Sequence, residues 1–395
     1  MKRALVLGLA RSGRAAQAAL EAGGTEVLVA DRAFGNEEEL ALLEGVEVLV
    51  KSPGVPGEAP LVAAARKRGI PVWSEIELAS RLLPNPILGV TGTNGKTTTT
   101  ELLGAMLGAR TAGNVGTALS ELVGDVGPDA WIVCELSSFQ LEDVDRFRPK
   151  VAVLLNLEPD HLDRHGDFDA YRDAKLRIFE NQHEEDVAVL PRGFGPVPGR
   201  ARRLEFAADD ELPSEPLIPG AHNRENAAAA TAAARAAGVD DETIATALRT
   251  FRGVEHRLEL VAEIAGVRYV NDSKATNSAA ARRALSSYDA PLHLILGGRP
   301  KGESWRELAQ DVAAADVLTV YLIGEAAEPL SVDLGHENVP FLISVTLERA
   351  VAEAASVARP GEIVLLSPAC ASYDQFQDYE HRGEEFRRLV QNLEG

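Results

Sequence analysis

Short apolar runs alternate with polar and glycine-rich segments along the whole chain. In the amino-terminal part these runs cover residues 4–7, 27–30, 46–50 and 71–73. Runs of this length, separated by stretches with helical periodicity, are typical of buried strands in a parallel sheet. The pattern therefore predicts an α/β fold that begins with a small Rossmann-like domain.

The same alternation occurs twice more. A second group of runs covers residues 87–90, 130–134 and 151–155, and a third covers 267–270, 292–296, 317–323 and 363–366. Each run ends in small and polar residues, as parallel strands do when their ends build a site. A chain of 395 residues also exceeds one ordinary core. We predict three domains: a Rossmann-like amino-terminal domain (1–84), a central P-loop mononucleotide-binding parallel sheet (85–253) and a Rossmann-like carboxyl-terminal domain (254–395).

A glycine-rich loop lies between the first run of the second group and a predicted helix. The loop and helix start comprise Gly92, Thr93, Asn94, Gly95, Lys96, Thr97 and Thr98. Such a loop turns its N–H groups around phosphate oxygens, while Lys96 reaches the β- and γ-phosphates and the Thr97 hydroxyl binds Mg²⁺. The spacing departs from the commonest form, because Val90 stands at the first glycine position. A glycine-rich turn with a chance lysine is the alternative interpretation.

A weaker glycine pattern follows the first strand. Gly8, Ala10 and Gly13 form G-x-A-x-x-G, and Asp31 ends the second strand, where dinucleotide folds carry a ribose-binding acid. The pattern is compatible with a dinucleotide. It is equally compatible with another nucleotide diphosphate in the same crevice.

Three ionisable residues stand out after the phosphate loop. Glu135 ends a strand, where nucleotide-binding folds place a second Mg²⁺ contact, although it also fits a surface glutamate. His161 follows another strand and suits either a metal site or an ordinary loop. Lys175 lies on an amphipathic helix, and this pattern alone predicts a solvated lysine.

The amino-acid composition limits the kinds of molecule that the protein is expected to bind. The net charge of −20 disfavours nucleic acid and anionic membranes, so an anionic nucleotide requires locally concentrated cations. Two cysteines, Cys134 and Cys370, in apolar surroundings give neither a disulfide framework nor a thiolate metal site, which fits a reducing cytoplasm. No apolar run approaches the ~18 residues of a membrane span. We expect small-molecule partners.

Four segments together resemble the Mur ligases of peptidoglycan synthesis over nearly the whole chain. They are residues 92–97, 220–226, 256–257 and 271–276. Within that family, residues 135–142 and 366–376 look like the member that adds D-glutamate to UDP-N-acetylmuramoyl-L-alanine. A sibling that adds another amino acid is the main alternative. A nicotinamide oxidoreductase leaves the loop at Lys96 unexplained, and a P-loop switch or motor leaves the third domain unexplained.

The resemblance implies an ATP- and Mg²⁺-dependent amide ligase that works through an acyl phosphate. It assigns Lys96, Glu135, His161 and Lys175 to catalysis, with Thr97, Glu135, His161 and a carbamylated Lys175 serving the metal. Residues 92–98 with Asn223, Asn226, Arg257 and Asp272 hold ATP. Lys274, Thr276, Lys301, Ser372, Tyr373 and Tyr379 fall where D-glutamate binds. Arg11, Ser12, Asp31, Lys51, Ser52, Gly54 and Asn114 fall where the UDP-sugar lies, with Ser137 and Gln140 near the muramoyl group. The resemblance further implies a cytoplasmic enzyme, and we expect a monomer.

Overall fold

A parallel four-stranded sheet forms the amino-terminal part of the chain. The computed structural model describes residues 1–114, 116–300 and 304–393. The first sheet has the strand order β2-β1-β3-β4, with β1 Arg3–Leu7, β2 Glu26–Ala30, β3 Val48–Lys51 and β4 Val72–Ser74. Its helices are α1 Arg11–Ala22, α2 Pro60–Lys67 and α3 Glu75–Leu82. The strands follow the predicted apolar runs; the two inner strands, β1 and β3, bury almost all of their side chains on both faces of the sheet.

The second sheet is also parallel throughout and has six strands in the order β10-β9-β8-β5-β7-β6. Its strands are β5 Ile87–Thr91, β6 Arg110–Gly113, β7 Ile132–Glu135, β8 Val151–Leu154, β9 Val187–Pro191 and β10 Arg202–Phe206. Its helices are α4 Lys96–Leu107, α5 Ser138–Leu141, α6 Leu162–His165, α7 Phe168–Leu176, α8 Ala221–Ala236 and α9 Asp241–Thr250. The alanines of α8 at 227–230, 233 and 234 are buried, as expected for a closely packed helix.

The third sheet differs from the predicted all-parallel arrangement at one edge. Its order is β11-β12-β16-β13-β14-β15, and β11 runs antiparallel to β12. A two-residue turn joins these strands, with Ala265 at φ 51° and Gly266 at φ 77°. Two left-handed residues make the tight turn of a hairpin, and an antiparallel strand joined in this way does not show the continuous apolar run of the parallel strands.

The remaining elements complete the third sheet. The strands are β11 Glu259–Ile264, β12 Val267–Asn271, β13 Leu292–Gly297, β14 Val317–Ile323, β15 Phe341–Val345 and β16 Ile363–Leu366. The helices are α10 Ser278–Leu285, α11 Arg306–Ala314, α12 Ala327–His336, α13 Leu347–Val357 and α14 Tyr379–Gln391. Helices cover both faces of the sheet and enclose two apolar cores. The predicted α/β class with a mononucleotide-binding central sheet between two Rossmann-like parts is confirmed.

The chain forms two compact units. The first comprises residues 1–215 and 224–249 and contains the first two sheets, while the second comprises 216–223 and 250–395 and contains the third sheet. The domain boundaries at residues 84 and 253 stay a prediction. Among the described residues, no helix has the length and apolar character needed to cross a membrane.

Candidate active site

The glycine-rich loop joins the central strand β5 to α4, as the sequence predicts. Gly92 has φ 153° and Gly95 has φ 82°, so both glycines adopt backbone conformations that side chains disfavour. A Cβ on Gly95 would lie 2.2 Å from Asn226 Oδ1. Gly95 is therefore required both by its backbone conformation and by the close approach of α8.

The segment after β8 supports the loop through residues to which the sequence analysis gave no role. Asn156 accepts the Thr93 N–H at its carbonyl (3.0 Å) and the Asn94 N–H at its side chain (2.8 Å). The N–H of Glu158 donates to Thr93 Oγ1 (2.9 Å), which also lies 3.0 Å from the Tyr171 hydroxyl. In the sequence, the signal for this supporting role is that Asn156 follows a central strand.

Two lysines converge on one carbonyl of this loop. Lys96 donates to the carbonyl oxygens of Gly92 (3.0 Å) and Thr93 (2.9 Å). Lys175 on α7 also donates to Gly92 O, at 2.8 Å, and lies 4.8 Å from the Tyr171 ring centroid. Lys175 is 2 % exposed rather than solvated, so its amphipathic helix faces the loop. Burial, reinforced by the neighbouring charge of Lys96, lowers the pKa of Lys175 to about 7.

Glu135 presents a buried carboxylate at the end of β7. Its Oε1 accepts the side-chain N–H of Asn114 (3.0 Å), whereas its Oε2 is buried without a hydrogen-bond partner. Thr97 opens α4 and is also buried. An unsatisfied carboxylate oxygen and a hydroxyl beside a phosphate loop fit Mg²⁺, which binds few protein ligands and relies on phosphate oxygens and water for the rest. Among the described residues, no cluster of three or more His, Cys, Asp or Glu side chains forms a ready metal cage.

His161 lies on the exposed side of this region. Its φ is 51°, its Nε2 is 3.6 Å from Asp160 Oδ2, and its ring is 4.9 Å from that of Phe139. Nearby, Ser137 and Gln140 bond to each other in a capping box at the start of α5. Their side chains therefore hold the backbone that follows Glu135.

Along the first sheet, several candidate side chains hold the protein's own backbone. Asp31 accepts the N–H groups of Leu9 (2.5 Å) and Ala33 (2.8 Å), and these bonds lower its pKa. Ser52 donates its hydroxyl to Gly8 O (2.7 Å). Lys51 is buried and ion-paired with Asp143 at 3.0 Å.

The other candidates along this sheet have fewer such bonds. Arg11, at the start of α1, donates to Gly116 O at 2.6 Å. Ser12 is half-buried on the first turn of α1, and Gly54 lies in the turn after β3 with no atom near its missing Cβ.

The second unit brings together predicted nucleotide-binding residues of its own. Asp272 follows β12, is buried, and accepts the Ser367 hydroxyl (2.7 Å) and the Leu258 N–H (3.2 Å). Burial raises its pKa to about 7, and the nearby positive charge of Arg257 opposes that rise. Asn223, in the short segment 216–223 of this unit, donates to Pro219 O at 2.6 Å.

The predicted amino-acid site lies on two loops of the same unit. Lys274 Nζ is 5.8 Å from the Tyr379 ring centroid. Thr276 is half-buried two residues further along, Ser372 is buried and Tyr373 is exposed. Lys301 lies outside the described residues. Arg382, which no sequence motif singles out, is fully buried and donates to the carbonyls of Ser273 and Cys370, thereby joining these loops.

A phosphate loop at the centre of a parallel sheet, with a buried acid on the neighbouring strand, defines a nucleoside-triphosphate-binding protein. The family model described as "Mur ligase middle domain" matches residues 90–193, and "Mur ligase, glutamate ligase domain" matches 256–370. The chain belongs to the Mur ligase family, as predicted.

Curated relatives match over almost the full length. The UDP-N-acetylmuramoylalanine--D-glutamate ligase of Acidobacterium capsulatum is 42 % identical over 98 % of this chain and 96 % of its own. The ligase of the same name from Pelotomaculum thermopropionicum is 44 % identical over 99 % and 98 %. Among solved structures, UDP-N-acetylmuramate-alanine ligase MurC from Thermotoga maritima has a TM-score of 0.59 at 18 % identity and covers 100 % of both chains. MurF from the same organism, in complex with ADP, has a TM-score of 0.58 at 19 % identity, with 90 % and 91 % covered. These structural matches support the fold alone.

Proposed function

We propose that this protein is a ligase that uses ATP to join D-glutamate to UDP-N-acetylmuramoyl-L-alanine, giving ADP and phosphate, in the cytoplasmic synthesis of peptidoglycan precursors. The carrying observation is that Lys96 and Lys175, from two helices, meet at the Gly92 carbonyl of the phosphate loop. Lys175 is the more deeply buried of the two, and it gives the loop a second amine, whose pKa burial lowers to about 7. The near-full-length relatives named for this ligation support the substrate assignment.

The chemistry requires activation of a carboxylate. A carboxylate is a poor electrophile, so the substrate carboxylate attacks the γ-phosphate to form an acyl phosphate, and the D-glutamate amine then displaces phosphate. Lys96 neutralises charge on the transferring phosphoryl group, and the loop N–H groups orient it. Bound Mg²⁺, held by Thr97 and Glu135 with His161 nearby, would supply further charge neutralisation.

Lys175 is proposed to carry a carbamate. Its neutral amine attacks CO₂, forms an N–C bond and releases one proton, which leaves a carboxylate-like group in place of the ammonium. A pKa of about 7 makes the neutral amine abundant near neutral pH. The resulting anion would add an oxygen ligand or orienting group beside the phosphate loop.

The remaining residues are assigned to substrates by the same proposal. Arg11, Ser12, Asp31, Lys51, Ser52, Gly54 and Asn114 serve the UDP-sugar, with Ser137 and Gln140 beside its muramoyl group. Asn223, Asn226, Arg257 and Asp272 serve ATP. Lys274, Thr276, Ser372, Tyr373, Tyr379 and Lys301 serve D-glutamate, because a cation and hydroxyls suit a dicarboxylic amino acid. We also propose that the protein acts as a monomer.

An amino-acid-dependent phosphate-release assay tests the function. With ATP, Mg²⁺ and UDP-N-acetylmuramoyl-L-alanine, phosphate should appear only when D-glutamate is added. L-Glutamate, D-alanine and meso-diaminopimelate serve as comparison substrates. Release with another amino acid in place of D-glutamate would establish the sibling ligase instead, and release with no amino acid would indicate an ATPase.

A further inference from the structure

Arg164 contacts two separate segments of the first unit besides its own helix. It lies on α6, three residues after His161. Its guanidinium donates to Val55 O at 2.9 Å, lies 3.6 Å from a Glu142 carboxylate oxygen and stacks 4.2 Å from the Phe139 ring centroid. Val55 belongs to the turn after β3, whereas Phe139 and Glu142 belong to α5 and its end. A guanidinium suits this role because one plane serves both stacking and hydrogen bonding.

The Val55 carbonyl also accepts a hydrogen bond from a second cation. Lys51 Nζ donates to it at 3.0 Å while it pairs with Asp143 at 3.0 Å. The Val55 N–H donates to Ser52 O at 3.0 Å, which closes the turn. Both lone pairs of the carbonyl are thus engaged, one from β3 and one from α6. The turn that carries Ser52 is therefore fixed partly by Arg164.

The other end of α6 leads to the phosphate loop. The Arg164 N–H donates to His161 O (3.1 Å), so the helix begins directly at that histidine. The left-handed backbone of His161 is strained and persists only where neighbours fix it. The same segment contains Asn156, which holds the N–H groups of Thr93 and Asn94. The Val55 turn is thus joined to the phosphate loop by the contacts of Arg164, the short backbone segment 156–161 and the hydrogen bonds of Asn156.

We propose that Arg164 is a positioning residue that couples the turn at residues 51–55 to the phosphate loop, so that UDP-N-acetylmuramoyl-L-alanine and ATP each strengthen the binding of the other. The inference rests on the proposed function, since it assigns the turn to the UDP-sugar. Arg164 makes and breaks no bond in the reaction. The coupling is a free energy shared by two binding equilibria, so it has the same size whichever ligand binds first.

Calorimetry of binding tests the coupling. A non-hydrolysable ATP analogue with Mg²⁺ is titrated into wild-type protein with and without saturating UDP-N-acetylmuramoyl-L-alanine, and the ratio of the two Kd values is the coupling factor. We expect a factor of about 5 or more for the wild type and below about 2 for Arg164→Ala, with the analogue's affinity alone changed little. A wild-type factor near 1, or an unchanged factor in Arg164→Ala, would overturn the proposal.

Two further variants separate coupling from folding. Arg172→Ala removes an arginine of the adjacent helix α7 that forms ion pairs with Asp169 and Asp173 of its own helix, and it should keep the wild-type factor. Arg164→Lys keeps the charge but loses the planar stacking group, and it should give an intermediate factor with a wild-type melting temperature. If Arg164→Ala does not fold, Arg164→Lys provides the test. A coupling factor equal to that of the wild type in Arg164→Lys would then overturn the proposal. Wild-type protein that binds both ligands with coupling but releases no phosphate with D-glutamate would refute the proposed ligation while leaving the coupling intact.

Discussion

The carboxyl-terminal edges of the first and second sheets use their polar side chains in opposite ways. Along the first sheet, the side chains of Asp31 and Ser52 bond to backbone groups of the turn after β1. Beside the phosphate loop, Glu135 keeps a buried oxygen without a partner and Lys175 is a buried cation with a lowered pKa. At the first edge, Asp31 and Ser52 therefore shape a backbone surface. The second edge keeps buried groups whose electrostatic cost is relieved only by a ligand, a metal ion or a covalent modification.

Lys96→Ala, which changes the second edge, is expected to cause the largest loss of activity. The variant should fold normally and lose about 10³-fold in kcat, because a cation that acts on the transferring phosphoryl group contributes several kcal/mol to transition-state stabilisation. Phosphate release and circular dichroism measure the two quantities. Lys67→Ala, which changes an exposed lysine of α2, is the matched control and should keep full activity. Retention of more than about a tenth of kcat in Lys96→Ala contradicts the assignment.

Lys175→Ala should have the next largest effect. We expect kcat to fall on the order of 10²-fold, which is the range observed when one electrostatic stabiliser is removed. Because the proposed working group is a carbamate, acetate or formate should restore part of the activity, and bicarbonate should not. The readout is phosphate release against added acid, with Lys67→Ala again as the control. Absence of a ¹³C carbamate signal from wild-type protein incubated with labelled bicarbonate would count against the modification.

Glu75→Gln tests whether burial also perturbs an acid at the first edge, because Glu75 directly follows β4 of the first sheet. Glu75 is buried and accepts the N–H and hydroxyl of Ser120, each at 2.5 Å, and burial raises its pKa from 4.5 to about 7. The folded state thus binds the proton more tightly than the unfolded chain. The free energy of unfolding should therefore fall as pH rises from about 4.5 to about 7.

The glutamine variant keeps the acceptor oxygen and removes the ionisation. Above pH 7 it should be more stable than the wild type by about 3 kcal/mol, with the difference vanishing below about pH 4.5. Urea unfolding across this pH range measures it. The exposed Glu184→Gln supplies a control with a flat difference. Parallel wild-type and Glu75→Gln stability curves would mean that Glu75 is ionised in the folded protein.

Asp31→Asn should have the smallest effect. Asparagine keeps an acceptor for the Leu9 N–H, so the backbone surface survives. We expect the KM for UDP-N-acetylmuramoyl-L-alanine to rise less than about tenfold, which corresponds to less than about 1.4 kcal/mol, with kcat unchanged. Steady-state kinetics decide this. A loss of kcat as large as that of Lys96→Ala would contradict the view that Asp31 shapes the backbone and takes no part in catalysis.

The sequence predicted most strands because parallel strands buried on both faces leave continuous apolar runs. It identified the phosphate loop because glycine, lysine and threonine have separate physical roles there. It could not predict that Lys175 is buried, because the pattern of α7 does not reveal what packs against the helix. The roles of Asn156 and Arg164 were hidden for a related reason. Each acts through contacts with residues distant in sequence, which spacing alone does not disclose.

The close approach of Asn226 to Gly95 also bears on how the protein is made. The ribosome releases the loop at residues 92–95 well before α8, yet the side chain that fills the space beside Gly95 comes from that later helix. Sheets and helices that precede α8 are able to collapse as they emerge. The nascent chain therefore possesses the glycine loop for many elongation cycles before it possesses the contact that completes the loop's surroundings, and nucleotide binding should mature only once residue 226 has left the exit tunnel.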